Sequence, residues 1–117
     1  LKAVRATDGP FLPPALDWEK YGGTPKRNLE WIRGFVHVVR QELGRDPMIY
    51  TGPNVWYYTT DDSDEFVNLP LWEVNYTKQG ALPSASPRAM PRKSGRKKWP
   101  WTIWQWSGGG DFAHADR

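Results

Sequence analysis

The chain contains no cysteine, which excludes a disulfide framework, thiolate zinc sites and a cysteine nucleophile. Long apolar runs are also missing. The hydrophobic fraction is 38% and the mean hydropathy is −0.74, and no window approaches the roughly 18–20 apolar residues of a membrane span. A water-soluble protein without a membrane partner is expected. Leu1–Leu16 lacks the apolar core of a secretion signal. Histidine is scarce, with His37 and His114 only, and no His/Asp cluster has metal-ligand spacing. Neither a metal nor another cofactor is expected. Acid is absent from Val74 through Gly110. With 117 residues there is room for one domain.

Aromatic residues are abundant, with eight Trp and five Tyr. Part of this must be core, because indoles bury large areas. Sugar clefts, base-stacking platforms and cation cages use the same rings. A net charge of +3 and a pI near 9.3 add a mild preference for anionic partners such as nucleic acid, wall polymers or acidic membranes.

The turn signal Asp8-Gly9-Pro10 precedes a short strand at Pro13–Glu19. Its prolines suit a strand start. Thr24 as N-cap, Pro25 at the first helical position and Leu29, Ile32, Val36, Val39 and Leu43 at alternating +3 and +4 spacing predict an amphipathic helix over about 25–43, closed by Gly44. Met48–Thr51 reads as a buried strand stopped by Gly52-Pro53. Residues 54–60 read as a short helix or turn, and Asp61, Asp62, Asp64 and Glu65 as an acidic loop. Further strands are expected over 69–76 and 99–106. Strands alternating with helices argue for parallel βα units in an α/β fold. Between the last two strands, residues 78–98 form a long proline-rich loop with seven basic side chains, too long for an ordinary connection. It reads first as a solvated insertion, next as an attraction for anionic wall polymers, and last as a nucleic-acid groove.

The sharpest chemical feature is Asp17-x-Glu19. Carboxylates two apart on a strand point the same way, roughly 6.5–7 Å apart at the backbone. At the carboxyl end of a strand in a βα unit they stand where barrel enzymes keep their sites. Glycoside cleavage uses such a pair, one to protonate the leaving oxygen and one to stabilise the oxocarbenium-like centre. A solvated strand end is the bland alternative.

Four motifs then occur in order: Leu12-Pro-Pro-Ala-Leu-Asp17-Trp-Glu19, Pro47-Met-Ile-Tyr50-Thr-Gly52, Leu71-Trp72-x-x-x-Tyr76 and Trp101-Thr-Ile-Trp104-Gln105-Trp106-Ser107. Together they resemble the glycoside hydrolase family 25 lysozymes, the muramidases of bacteria and phages, over about residues 10–110. The resemblance implies an irregular (β/α) TIM-like barrel, of which residues 1–117 would be the C-terminal half of the catalytic domain. The family's first strand with its own Asp and two further βα units have no counterpart here. It also implies a peptidoglycan partner, with cleavage of the β-1,4 bond between N-acetylmuramic acid and N-acetylglucosamine. Glu19 would be the general acid/base, with Asp17 assisting. Whether the intermediate is substrate-assisted or covalent stays open. The implied place of action is extracellular or at the cell wall, for a phage endolysin or a secreted bacterial enzyme. A non-catalytic saccharide-binding fragment is the alternative, and nucleic acid is not an expected partner.

Tyr50 has two readings, a contact to the N-acetyl group or the carboxylate pair, and a packed core tyrosine. Trp72 and Tyr76 would line the saccharide cleft or fill core. Gln105 would be a polar contact or a satisfied buried amide. Alternation sends Trp104 and Trp106 to one face and Trp101 to the other, so about half of the four Trp over 99–106 are expected in the core. Glu73 stands where the family usually has an apolar residue, as an extra carboxylate near the barrel. A family acid after the last strand is matched by Asp116, with Asp111 as rival. His37 reads as a surface residue.

Overall fold

The computed structural model describes residues 13–76 and 89–106. The element order is β1 (Ala15–Asp17), α1 (Pro25–Leu43), β2 (Met48–Thr51), α2 (Pro53–Thr60), β3 (Leu71–Val74) and β4 (Ile103–Gln105). The strands form one parallel sheet in chain order, β1-β2-β3-β4. This is the expected α/β architecture. Among the described residues the sheet is open, with β1 and β4 at its edges.

Helix α1 occupies the expected span for the expected reasons. Thr24 Oγ1 accepts the N–H of Arg27 at 3.3 Å, Pro25 needs no donor at the first turn, and Gly44 closes the helix at φ 64°, returning its N–H to the Arg40 carbonyl. A side chain at that left-handed angle would be strained. The buried stripe is Ile32, Phe35, Val36 and Val39. Leu29 and Leu43 only pack at its margins, so the buried face keeps the centre of the expected stripe and turns slightly to include Phe35. His37 is exposed as expected.

The segment after β2 is a helix rather than a turn. In α2, Trp56 is wholly buried and its indole N–H reaches the Ser63 carbonyl at 2.8 Å. The core lies between the helices and one face of the sheet, where Leu16, Ile49 and Leu71 from adjacent strands meet α1, Trp56, Phe66, Leu69, Met90 and Trp99. Fully burying each such side chain contributes about 1.5–3 kcal/mol.

Two expectations need correction. Residues 89–98 are not a solvated insertion. Met90 and Pro91 are buried, and the acidic turn after α2 grips the segment. Lys93 donates its backbone N–H to Asp62 and its ammonium to Asp61, and Lys97 N–H reaches Asp64 at 2.9 Å. Those bonds hold the Asp61 and Asp64 carboxyls below the usual carboxylate range, the Lys93 side chain acting chiefly on Asp61 and the Lys97 backbone N–H on Asp64. The rest of the 78–98 stretch lies outside the described residues.

The last strand is also shorter than expected. Trp99 N–H bonds the Met90 carbonyl and its indole bonds that of Leu69, both at 2.8 Å, and Pro100 has no donor for a ladder. Pairing therefore starts only at Ile103. Trp101 precedes the strand and its ring sits 6.1 Å from that of Trp104, so the two are neighbours instead of facing apart. Of the four Trp over 99–106, one, Trp99, is buried.

Candidate active site

The site forms where the strands end. In the sheet register Asp17 lies beside Tyr50, Tyr50 beside Trp72 and Trp72 beside Ile103. These residues share one face of the sheet, opposite the row Leu16, Ile49 and Leu71 that fills the core. Period-two alternation explains the division.

The residue between the carboxylates sets their position. Trp18 N–H donates to the Tyr50 carbonyl at 2.8 Å, continuing the ladder one step past β1. The Trp18 carbonyl accepts from Thr51 Oγ1 at 2.8 Å, and its indole N–H reaches Thr59 Oγ1 of α2 at 2.9 Å. With backbone and ring pinned, Asp17 and Glu19 are held on either side of a fixed point. Both are exposed. The neighbouring Asp17 carboxyl is the main reason the Glu19 carboxyl is pushed above its ordinary value of 4.5, since it favours the protonated form as a hydrogen-bond donor, with partial burial and the Asp17 charge adding to the rise.

A chain of polar contacts adjoins the pair. Tyr50 Oη donates to Gln105 Oε1 at 3.0 Å, and Gln105 Nε2 faces Tyr76 Oη at 3.4 Å. Trp72 packs edge-on against Tyr50, with ring centroids 4.8 Å apart. Burial raises the Tyr50 phenol, and the nearby Glu19 charge adds to the rise. Asp17, Glu19, Tyr50, Trp72, Tyr76 and Gln105 therefore come together. Asp116, Asp111 and His114 lie outside the described residues.

Two hollows flank Glu19. One, of about 460 Å³, is lined by Asp17, Trp18, Tyr21, Asn28 and Trp31 among others. The other, of about 390 Å³, is lined by Tyr21, Asn54, Val74, Asn75 and Tyr76. Either volume lies within the range of small-ligand sites. Several of these residues carry no mark in the sequence that points to a site. Asn28 is the clearest, since its amide donates to the Gly22 and Thr59 carbonyls at 2.9 and 2.8 Å and so ties the loop after Glu19 to α2. An amide inside a helix, where its propensity is poor, is the one available signal.

Glu73 is an acid off the site. It shares the buried face with Leu71 and is 1% exposed. Its Oε2 accepts from Asn75 Nδ2 at 3.1 Å, and burial raises its carboxyl in spite of that bond. Among the described residues no three His, Cys, Asp or Glu side chains gather to hold a metal ion, and no helix is long and apolar enough to cross a membrane.

The profile of glycosyl hydrolases family 25 matches residues 1–114. An N,O-diacetylmuramidase of Chalaropsis sp is 34% identical over 84% of this chain and 46% of its own length. Among solved structures, a family GH25 lysozyme from Aspergillus fumigatus matches at a TM-score of 0.63 and 30% identity, over 84% of this chain and 46% of that one. A muramidase from Acremonium alcalophilum matches at 0.63 and 31%, with the same coverage. The chain thus spans just under half the length of these relatives. On the match of its whole described length to the family profile, the chain belongs to glycosyl hydrolase family 25.

Proposed function

We propose that this chain is the C-terminal half of the catalytic domain of a lysozyme-type muramidase, its sheet one part of a (β/α) barrel, acting on peptidoglycan. The observation that carries the reading is the Asp17–Glu19 pair, set on either side of the pinned Trp18, with both acids lining one hollow at the ends of the strands and Glu19 also lining the other. The muramidase activity of the relatives supports it.

The reaction follows from the charge distribution. A glycan strand lies across the two hollows with the scissile oxygen at Glu19. Protonated Glu19 gives its proton to that oxygen as the C1–O bond breaks, and the chain beyond departs as an alcohol. Asp17, ionised, stabilises the positive charge that develops at C1 and the ring oxygen, or orients a participating N-acetyl group. Water then attacks C1 and Glu19 takes its proton back, which restores the starting state. Its raised pKa suits this double role, since a general acid must hold its proton near working pH. Tyr50, positioned by Gln105 and Trp72, and Tyr76 at the rim give the sugar polar and aromatic surfaces. The bond cleaved is the β-1,4 link between N-acetylmuramic acid and N-acetylglucosamine, and a wall substrate puts the action outside the cell. The relatives named are fungal and carry no argument for a phage or bacterial source.

A second reading has one observation behind it. The two hollows and the aromatic residues that line them also fit a saccharide-binding fragment that keeps the cleft and turns nothing over. Loss of turbidity of a cell-wall suspension, abolished by Glu19→Gln, supports the enzyme. Binding of wall without clearing supports the fragment, and neither binding nor clearing overturns both.

A further inference from the structure

The basic segment 89–98 presents its cations unequally. Lys93 is paired with Asp61, and Arg96 donates to the Asp61 carbonyl at 3.1 Å with the Asp61 carboxylate 3.8 Å away. Lys98 Nζ donates to the Pro91 carbonyl. Arg92 is different. Its guanidinium lies 4.0 Å over the centroid of the Tyr57 ring, and Nη1 donates to Asn54 Oδ1 at 2.8 Å. Among the described residues it faces no carboxylate. A guanidinium has five donors, and Asn54 uses one.

The second brace matters as much as the charge. Asn54 lines the hollow of about 390 Å³ that Glu19, Tyr21 and Tyr76 also line. Because Arg92 can only donate, the Asn54 oxygen must face it, and the amide NH2 is left for the hollow. Asn54 thus offers N–H donors to the hollow that Glu19 lines, and Arg92, one hydrogen bond behind it, adds a fixed positive charge on its outer side. A planar fork of this kind matches a carboxylate, which accepts two parallel N–H bonds.

We propose that Arg92, braced by Tyr57 and Asn54, is a specificity residue that takes a carboxylate carried by the glycan strand where it passes Asn54 and leaves the hollow. This deepens the muramidase reading and rests on it. The carboxylate has two sources in a wall polymer: the lactyl ether of an unsubstituted muramic acid, or the free end of a stem peptide. The saccharide hollow supplies the neutral part of the affinity and Arg92 the preference for the acidic strand.

Titration calorimetry on the protein tests this with three probes: neutral chitotetraose, a peptide-free tetrasaccharide of alternating N-acetylglucosamine and N-acetylmuramic acid, and the same tetrasaccharide bearing stem peptides. The acidic strand is expected to bind about tenfold more tightly than chitotetraose, as a charge-assisted hydrogen bond provides. Arg92→Gln removes that preference and leaves chitotetraose binding unchanged, whereas Arg92→Lys keeps part of it. Preference for the peptide-free strand identifies the lactyl carboxylate; preference confined to the peptide-bearing strand identifies the stem. The preference of the unaltered protein also shrinks as salt is raised, a readout that needs no variant to fold. Equal binding of neutral and acidic strands, or an equal loss on all probes in Arg92→Gln, overturns the assignment. Failure of chitotetraose itself to bind overturns the saccharide reading beneath it, which is a separate result.

Discussion

Replacing Glu73 by Gln removes a charge from the interior and changes little else. The amide keeps an oxygen to accept from Asn75, and its volume matches. In the unaltered protein the carboxyl is 1% exposed with one neutral partner, and burial raises its pKa above the ordinary 4.5. The unfolded chain ionises it near 4.5. Between that value and the higher folded one, the folded state holds a proton that the unfolded state has lost, so stability falls as pH rises through this window. A pKa one pH unit higher in the folded state corresponds to about 1.4 kcal/mol. A buried charge with one hydrogen bond carries a penalty of about 1–3 kcal/mol, fully present once the pH exceeds the folded pKa. Glu73→Gln does not ionise. The two proteins should therefore be nearly equal at about pH 4, and the variant about 1–3 kcal/mol more stable at about pH 8. At about 4 °C per kcal/mol for a domain of this size, the rise in Tm is readily seen. Urea titrations followed by Trp fluorescence across that pH range would measure it. A difference that does not change with pH, or a variant that is the less stable one in mild alkali, refutes the argument that Glu73 is a desolvated, under-compensated acid.

Three other outcomes are expected. Glu19 should titrate above 4.5 by carbon-detected NMR, and Asp17→Asn should lower its pKa and draw the alkaline limb of the activity profile to lower pH; a Glu19 pKa at or below 4.5 counts against the acid role. Trp99→Phe removes the 2.8 Å bond to the buried Leu69 carbonyl and should cost about 1–3 kcal/mol, measured by urea titration, with Trp99→Ala costing about 3–5 kcal/mol. Gly52→Ala places a Cβ 2.7 Å from the Val74 carbonyl oxygen, so the strand ends must part. A loss of about 1–3 kcal/mol together with weaker chitotetraose binding is expected, and unchanged affinity would detach this contact from the hollow beside Glu19.

Helix α1 is legible residue by residue, because its cap, first-turn proline and closing glycine are local signals and its stripe has the helical period. The alternation in β1 to β3 is legible for the same reason, and it carries Asp17, Tyr50 and Trp72 to one face. What the sequence hides is non-local. The acidic turn and the basic segment it grips are 31–35 residues apart, and nothing in either stretch names the other. Read alone, each is a solvated charge run. Trp99 reads as part of a strand, and only its backbone and indole partners, Met90 and Leu69, take it out of one. Glu73 reads as an extra acid near the barrel, whereas strand parity puts it with Leu71 on the helix side.

The row Asp17, Tyr50 and Trp72 sits one step along the strands from the row Leu16, Ile49 and Leu71. A slip of one residue in β2 would exchange the rows there, turning Tyr50 into the apolar layer and Ile49 out of it. Returning Ile49 to water alone forfeits about 1.5–3 kcal/mol, before the cost of a stranded phenol. The apolar layer thus proofreads the site: strand alignments that misplace the polar row are the ones it rejects. Substitutions at Ile49 or Leu71, which line neither hollow, should then blur the alignment of the carboxylates and Tyr50 before they unfold the protein, so the precision of the candidate site is inherited from the greasy side of the sheet.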